Sequence, residues 1–75
     1  MNQLEKKVLK KFGEALVLRK SELIKFIKDD IKNPENPKTV LDSIIQKLIQ
    51  QKYITPLYAS ESTFAITQNG MKELQ

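Results

Sequence analysis

Four apolar residues near the amino terminus recur at helical spacing, with lysines between them: Leu4, Val8, Leu9 and Phe12. This pattern predicts an amphipathic helix over about residues 3–12, with Gly13 in the position of a C-terminal cap. The next apolar run, residues 16–18, is too short for a helix. Its composition predicts a short buried strand over residues 15–18.

A second apolar face follows the predicted strand and consists of Leu23, Ile24, Ile27 and Ile31. Ser21 suits the N-cap of a helix, and Glu22 places a negative charge in the first turn, where the helix dipole favours one. We therefore predict a second helix over about residues 20–31. The segment that follows contains two prolines, and each disfavours helix at the residue before it, so residues 32–36 are predicted to form a loop.

The clearest helical pattern lies in the middle of the chain, where five apolar residues share one face: Leu41, Ile44, Ile45, Leu48 and Ile49. Asn36 is a suitable N-cap, and Pro37 suits the first position of a helix because its missing N–H has no partner there. These signals predict a third helix over about residues 37–52.

Beyond the third helix the chain becomes rich in β-branched and aromatic residues. Residues 53–58 and 63–67 have this composition, and the polar residues 59–62 between them are typical of a turn. We predict a β-hairpin over residues 53–67. Pro56 has no N–H for a sheet ladder, so it places the first strand at an edge or at a bulge.

The chain closes with a weaker helical signal over residues 68–75, for which Thr67 can serve as the cap although Gly70 lowers the helix propensity. With 75 residues, 40% of them hydrophobic, the chain has enough apolar side chains for one modest core. A single α+β domain over residues 1–75 is therefore predicted.

Two stretches, together with the order of the predicted elements, resemble the winged-helix branch of the helix-turn-helix proteins. Residues 48–54, LIQQKYI, are similar to the end of that family's recognition helix, commonly Leu-x-x-x-Gly-Leu-Ile, with Lys52 in place of the glycine. Residues 64–74, FAITQNGMKEL, resemble its closing strand and final helix, commonly aromatic-x-Leu-Thr-x-x-Gly-x-x-x-Leu. The resemblance implies a three-helix core with a small antiparallel hairpin, the wing, and a short C-terminal helix.

The resemblance also implies a DNA-binding protein that reads duplex DNA with the third helix, such as a small transcriptional regulator or accessory factor. The exposed polar residues of that helix are then candidate contacts to bases and phosphates: Lys38, Thr39, Ser43, Gln46, Lys47 and Gln50. Arg19 and Lys20, just before the second helix, are candidate phosphate contacts. Asp42 is discordant on such a surface, and it can accept from cytosine or pair with Lys38 or Gln46 on its own helix.

A protein-interaction module is the alternative function, because winged helices also serve in that role. The hairpin tip, residues 58–63, has no Lys or Arg to enter a minor groove, and the proline-bearing loop is longer than a tight helix-turn-helix connection. The exposed face of the third helix can equally be a solvated surface. The first helix carries four lysines, Lys6, Lys7, Lys10 and Lys11, whose role is then solubility or contact with an acidic partner. A homodimer is possible but not evident from the sequence, because neither terminal helix has a second apolar stripe that could form a dimer contact.

The composition indicates which kinds of partner and which kinds of catalytic or metal site the chain can have. Thirteen basic and nine acidic residues give a formal charge of +4, which favours an anionic partner. The chain has neither His nor Cys, so the common general bases, thiolate nucleophiles and zinc ligands are missing, and the adjacent Asp29 and Asp30 would point in different directions on a helix. We predict no enzymatic activity, no cofactor and no metal. No apolar run is long enough for a membrane span or a signal sequence, so a cytoplasmic location is expected.

Overall fold

A computed structural model describes residues 2–31, 36–59 and 62–75 of the chain. Over these residues it contains four α-helices, one 3₁₀ turn and three strands: α1 (Gln3–Ala15), β1 (Val17–Arg19), α2 (Lys20–Ile27), the 3₁₀ turn (Lys28–Asp30), α3 (Pro37–Gln50), β2 (Ile54–Pro56), β3 (Thr63–Ile66) and α4 (Gln68–Glu73). The strands form one antiparallel sheet in the order β1-β3-β2. The predicted α+β class is confirmed, and the arrangement is compatible with a winged helix.

The hydrophobic core lies where α1, α2 and α3 meet one another and one face of the sheet. Its buried side chains are Val8, Leu9, Phe12, Leu18, Leu23, Ile27, Leu41, Ile44, Ile45, Leu48, Ile54 and Phe64. Burying one such side chain contributes about 1.5–3 kcal/mol, so these residues supply most of the stabilising energy. None of the described helices is both long and apolar enough to cross a membrane.

The sheet register explains why the first strand extends to Arg19. Leu18 stands opposite Phe64 and Arg19 opposite Thr63, so the chain stays extended through Arg19. Lys20 then donates its backbone N–H to the Ser62 carbonyl at 2.9 Å. The predicted strand at 15–18 is thus displaced to Val17–Arg19. On the other side of β3, Pro56 lies in an edge strand, as predicted.

The second helix begins and ends differently from its prediction. Its N-cap is Arg19, not Ser21, and the Glu22 carboxylate accepts from the Arg19 backbone N–H at 3.1 Å. The α-helix ends at Ile27 and tightens into the 3₁₀ turn instead of continuing to residue 31. Residues 32–35 of the predicted loop lie outside the described residues.

The predicted end of the first helix, with Gly13 as its cap, is wrong. Helix α1 continues to Ala15, and Leu16 caps it with φ 71° while donating its N–H to the Phe12 carbonyl at 2.7 Å. A Cβ at Gly13 would meet the end of the Leu74 side chain, which lies against this face of α1. The residue after α4 therefore packs against α1 at Gly13.

Helix α3 starts as predicted and ends slightly earlier. The Asn36 side chain accepts from the Lys38 backbone N–H at 3.0 Å, and Pro37 occupies the first turn. The helix ends at Gln50, two residues before the predicted end at 52, and Lys52 then takes a positive φ of 63°. Glycine is the usual residue for such a conformation, which fits the position of Lys52 in the motif LIQQKYI.

The cap of α4 confirms the prediction for Thr67 and explains the second motif. Its hydroxyl accepts from the Gly70 N–H at 3.1 Å and lies 2.6 Å from the carbonyl oxygen of Lys52, to which it can donate. A Cβ at Gly70 would overlap the Tyr53 carbonyl and the side chain of Ile66. Threonine and glycine thus let α4 pack closely against the segment between α3 and β2, although α4 ends at Glu73 and not at residue 75.

Candidate nucleic-acid interface

Four polar residues form one exposed stripe along α3: Thr39, Ser43, Gln46 and Gln50. They are three or four residues apart, so they lie on one side of the helix, opposite the side that the core buries. None of the four side chains is charged. We call these four residues the α3 stripe; it presents hydroxyl and amide groups that can both donate and accept hydrogen bonds.

Two open grooves flank the α3 stripe. The hairpin-side groove has a volume of about 560 Å³ and is lined by residues of α2, α3 and the hairpin: Lys20, Asp42, Ile45, Gln46, Ile49, Pro56, Ala59 and Phe64. The α1-side groove, of about 480 Å³, lies between the starts of α1 and α3 and is lined by Asn2, Leu4, Glu5, Asn36, Thr39, Val40, Ser43, Ile44 and Lys47. The stripe is therefore a ridge with a depression on either side.

On the hairpin side, Lys20 is paired with Asp42. The ammonium nitrogen lies 3.1 Å from Oδ1 of the carboxylate, and both side chains are partly exposed. The approach is too oblique for a hydrogen bond, and among the described residues this buried oxygen has no other donor. The predicted pairing of Asp42 with Lys38 or Gln46 is wrong, because the packing of α2 on α3 brings the first residue of α2 to the carboxylate.

On the α1 side, Lys47 is paired with Glu5. The Lys47 ammonium nitrogen lies 3.2 Å from Oε1 of Glu5, whose side chain is only 6% exposed. Glu5 also belongs to a capping box, in which the Asn2 side chain accepts from the Glu5 N–H at 2.8 Å and the Glu5 carboxylate accepts from the Asn2 N–H at 3.3 Å. Lys47 thus forms an ion pair with α1, although most of its side chain is exposed to solvent.

Glu5 is a residue that the sequence analysis missed. The signal that could have found it is the pattern Asn-x-x-Glu just before an apolar run, which marks a capping box. That pattern predicts the contact between Asn2 and Glu5 within α1. It does not predict that the carboxylate reaches Lys47 on α3, since this depends on how the two helices pack.

The two remaining candidate cations, Lys38 and Arg19, are exposed and form no ion pair within the described parts of the chain. Lys38 lies in the first turn of α3, beside the α3 stripe. Arg19 does not join Lys20 in the hairpin-side groove. Its side chain lines a separate depression together with Glu22, Tyr58 and Thr63. Arg19 and Lys20, although adjacent in the sequence, therefore face different surfaces.

The described part of the hairpin tip contains an exposed aromatic residue, Tyr58. Tyr58 is 90% exposed, and both Tyr58 and Ala59 have positive φ values, 57° and 52°. Non-glycine residues rarely adopt this left-handed conformation. Ser60 and Glu61 of the predicted turn lie outside the described residues. The tip therefore projects an uncharged aromatic ring where a basic side chain would suit a phosphate.

The lysines of α1 are also partly engaged within the chain. Lys7 pairs with Asp30 at 2.8 Å, and the ammonium groups of Lys7 and Lys11 lie 5.4 and 5.3 Å from the centre of the Phe26 ring. These contacts join α1 to α2 and to the 3₁₀ turn. The dense positive charge of α1 thus has a structural part in addition to its predicted effect on solubility.

Four apolar side chains in the segments around the end of α1 and in α4 are exposed: Leu16, Val17, Met71 and Leu74. The segments are joined by the packing of Leu74 against Gly13 and by a hydrogen bond from the Ile66 N–H to the Leu16 carbonyl at 3.0 Å.

Tyr53, which follows α3, has a perturbed phenol. Burial raises the pKa of the Tyr53 phenol, and the Glu73 carboxylate adds to this shift through its charge and a hydrogen bond.

No protein-family model matches the chain, and no curated protein or solved structure matches it significantly.

Proposed function

We propose that the chain is a winged helix-turn-helix domain that binds duplex DNA with α3 in the major groove and acts by binding, not catalysis. The observation that carries the proposal is the α3 stripe, a continuous, exposed and uncharged row of amide and hydroxyl groups along a well-capped helix. The major groove of B-DNA admits an α-helix and presents donors and acceptors on the base edges. A small transcriptional regulator or accessory factor in the cytoplasm is the corresponding role.

The stripe suits base reading better than non-specific attraction. Gln46 and Gln50 can each form two hydrogen bonds with an adenine edge, and the hydroxyls of Thr39 and Ser43 can reach bases or phosphates. Of the four candidate cations, Lys38 and Arg19 form no ion pair among the described residues and can meet phosphates directly. Because the other two, Lys20 and Lys47, are already paired, we expect affinity for any given duplex to depend strongly on the bases under the stripe.

A binding assay on selected duplexes tests this proposal. Sites are selected from a random-sequence duplex pool at low salt, and the affinity for the best site is then measured against salt concentration. We expect a log-log slope near −0.9 for each phosphate neutralised. The double substitution Gln46→Ala with Gln50→Ala should weaken binding to the best site by at least tenfold, because one good bidentate contact provides about 1–3 kcal/mol of discrimination.

The control is Gln3→Ala, which removes an exposed glutamine from α1 and should leave the affinity within twofold of wild type, within the usual effect of a surface substitution of about 0.5 kcal/mol. Absence of binding at low salt, or binding that ignores salt, would contradict the proposal. Equal losses from the α3 double variant and from the α1 control would contradict the assignment of α3 as the reading element.

A protein-interaction module is the second candidate, and the exposed apolar side chains of Leu16, Val17, Met71 and Leu74 favour it. Exposed apolar groups of this kind are typical of protein contacts when they form a patch. The measurement is recovery of a stable protein complex after nuclease treatment. This candidate requires that Val17→Ser with Met71→Ser abolishes the complex and that the substitutions in the α3 stripe leave it intact.

A further inference from the structure

We propose that Asp42 competes with DNA phosphates for Lys20, so that the domain binds arbitrary duplexes weakly and gains affinity only where the α3 stripe matches the bases. The inference rests on the proposed function and concerns the selectivity of the same surface. Asp42 and Lys20 both line the hairpin-side groove, directly beside Gln46 of the stripe. A phosphate that approaches Lys20 therefore meets the carboxylate first or together with the ammonium group.

The competition follows from charge and distance. The Lys20 nitrogen is 3.1 Å from Asp42 Oδ1, and an opposite charge at this distance already neutralises the lysine. Salt-dependent affinity for DNA comes from counterions that are released when cationic groups neutralise phosphates. A lysine whose charge is already balanced releases no net counterion. Lys20 therefore adds little to non-specific binding while Asp42 holds it.

Asp42 can be replaced with less effect on the neighbouring contacts than Glu5, the carboxylate on the other flank. Its side chain is partly exposed, and its buried Oδ1, which faces Lys20, accepts no hydrogen bond among the described residues. Glu5, on the other flank, is buried and accepts from Asn2 within the cap of α1. Asp42 belongs to no helix cap among the described residues, so replacing it leaves the caps of α2 and α3 in place, whereas replacing Glu5 also removes contacts of the α1 cap.

The test compares Asp42→Asn, which removes the charge and keeps the shape, with Glu14→Gln, which raises the net charge equally from an exposed position on α1. Affinity for one fixed duplex of arbitrary sequence is measured over a series of salt concentrations. We expect Asp42→Asn to steepen the log-log slope by about 0.9. The ratio of the affinity at 0.1 M salt to the affinity at 1 M salt should then be about eightfold larger than for the wild-type chain. Glu14→Gln should change the affinity by less than about twofold, because screening weakens an interaction with a distant charge.

A double-mutant cycle with Lys20→Ala shows whether the effect acts through Lys20. In the Lys20→Ala background, Asp42→Asn should tighten binding far less than it does in the wild-type chain. An undiminished gain without Lys20 would overturn the competition, since it would reflect general repulsion between Asp42 and DNA. Thermal unfolding of every variant checks that each is folded under the assay conditions.

The outcomes separate this inference from the proposed function. If the wild-type chain binds duplex DNA and Asp42→Asn behaves like Glu14→Gln, the role of Asp42 is wrong and the function stands. If neither the wild type nor Asp42→Asn binds any duplex at low salt, the proposed function is wrong and the role of Asp42 is overturned with it.

Discussion

The two flanks of α3 carry the same kind of ion pair in opposite settings. On the α1 flank the carboxylate of Glu5 is nearly buried and its partner Lys47 is mostly exposed. On the hairpin flank the carboxylate of Asp42 is 44% exposed and its partner Lys20 is the more buried of the two. The nitrogen–oxygen distances, 3.2 and 3.1 Å, hardly differ. Distance alone therefore does not separate a structural contact from an adjustable one.

Burial of the carboxylate makes the difference between the flanks. A buried charge is costly unless it is paired and hydrogen-bonded, and Glu5 meets this requirement through Asn2 and Lys47. In the Asp42 pair the oxygen that faces Lys20 is buried, but both side chains are partly exposed, and screening by water and salt weakens such a pair. We infer that the Glu5 flank holds α1 against α3, whereas the Asp42 flank can open without loss of the fold. Three stability measurements test this difference.

The largest effect is expected from Glu5→Ala. The substitution removes the contacts of the carboxylate with Asn2 and the partner of Lys47, while the Asn2 side chain still caps the backbone N–H of residue 5. A lost hydrogen bond to a charged group costs about 1.5–3 kcal/mol, and the exposure of Lys47 lowers this figure. Urea unfolding should show a decrease of about 1–2 kcal/mol, and the midpoint of thermal unfolding should fall by about 4–16 °C for a domain of this size. Glu14→Ala, on the exposed side of α1, is the control and should stay within about 0.5 kcal/mol. Equal losses from the two variants would remove the contrast.

The local signals in the sequence predicted much of the fold for a physical reason. The apolar faces of α1, α2 and α3 depend on helical periodicity, and the caps Asn36 and Thr67 act within a few residues of their own positions. The end of α1 was predicted wrongly, because the helix continues through Gly13 to Ala15 and Leu16, a residue without the usual cap signal, ends it with a positive φ. The N-cap of α2 was missed because the sheet register, and not Ser21, holds Arg19 extended.

In the candidate site, too, some features follow from local sequence signals and others depend on how the helices pack. That Thr39, Ser43, Gln46 and Gln50 share an exposed face follows from periodicity, and the structure confirms their exposure. The engagement of Lys20 and Lys47 does not follow, since each partner lies on another element and only helix packing brings the charges together. A list of basic residues read from the sequence therefore overstates the positive charge that is free to meet a phosphate.

An intermediate effect is expected from Lys47→Met, which keeps the aliphatic stem of the lysine and removes its charge. The buried Glu5 carboxylate then loses its cation but keeps its contacts with Asn2. We expect the free energy of unfolding to fall by about 1 kcal/mol, less than for a fully buried pair because Lys47 is itself exposed to water. Urea unfolding measures the change, with Lys38→Met as an unpaired control on the same helix. A loss no greater than that of the control would show that Lys47 does not support Glu5.

The smallest effect is expected on the hairpin flank. Asp42→Asn should change the free energy of unfolding by less than about 0.5 kcal/mol, because exposed ion pairs contribute little. A double-mutant cycle of Lys20→Met and Asp42→Asn isolates the coupling between the two groups, and this coupling should fall towards zero as salt is raised to 0.5 M. The matching cycle for Lys47 and Glu5 should keep most of its coupling, since water reaches Glu5 poorly. Equal salt sensitivity of the two cycles would mean that both carboxylates are equally accessible to ions. In that case Asp42 has no special freedom to give up Lys20, and the distinction between the flanks fails.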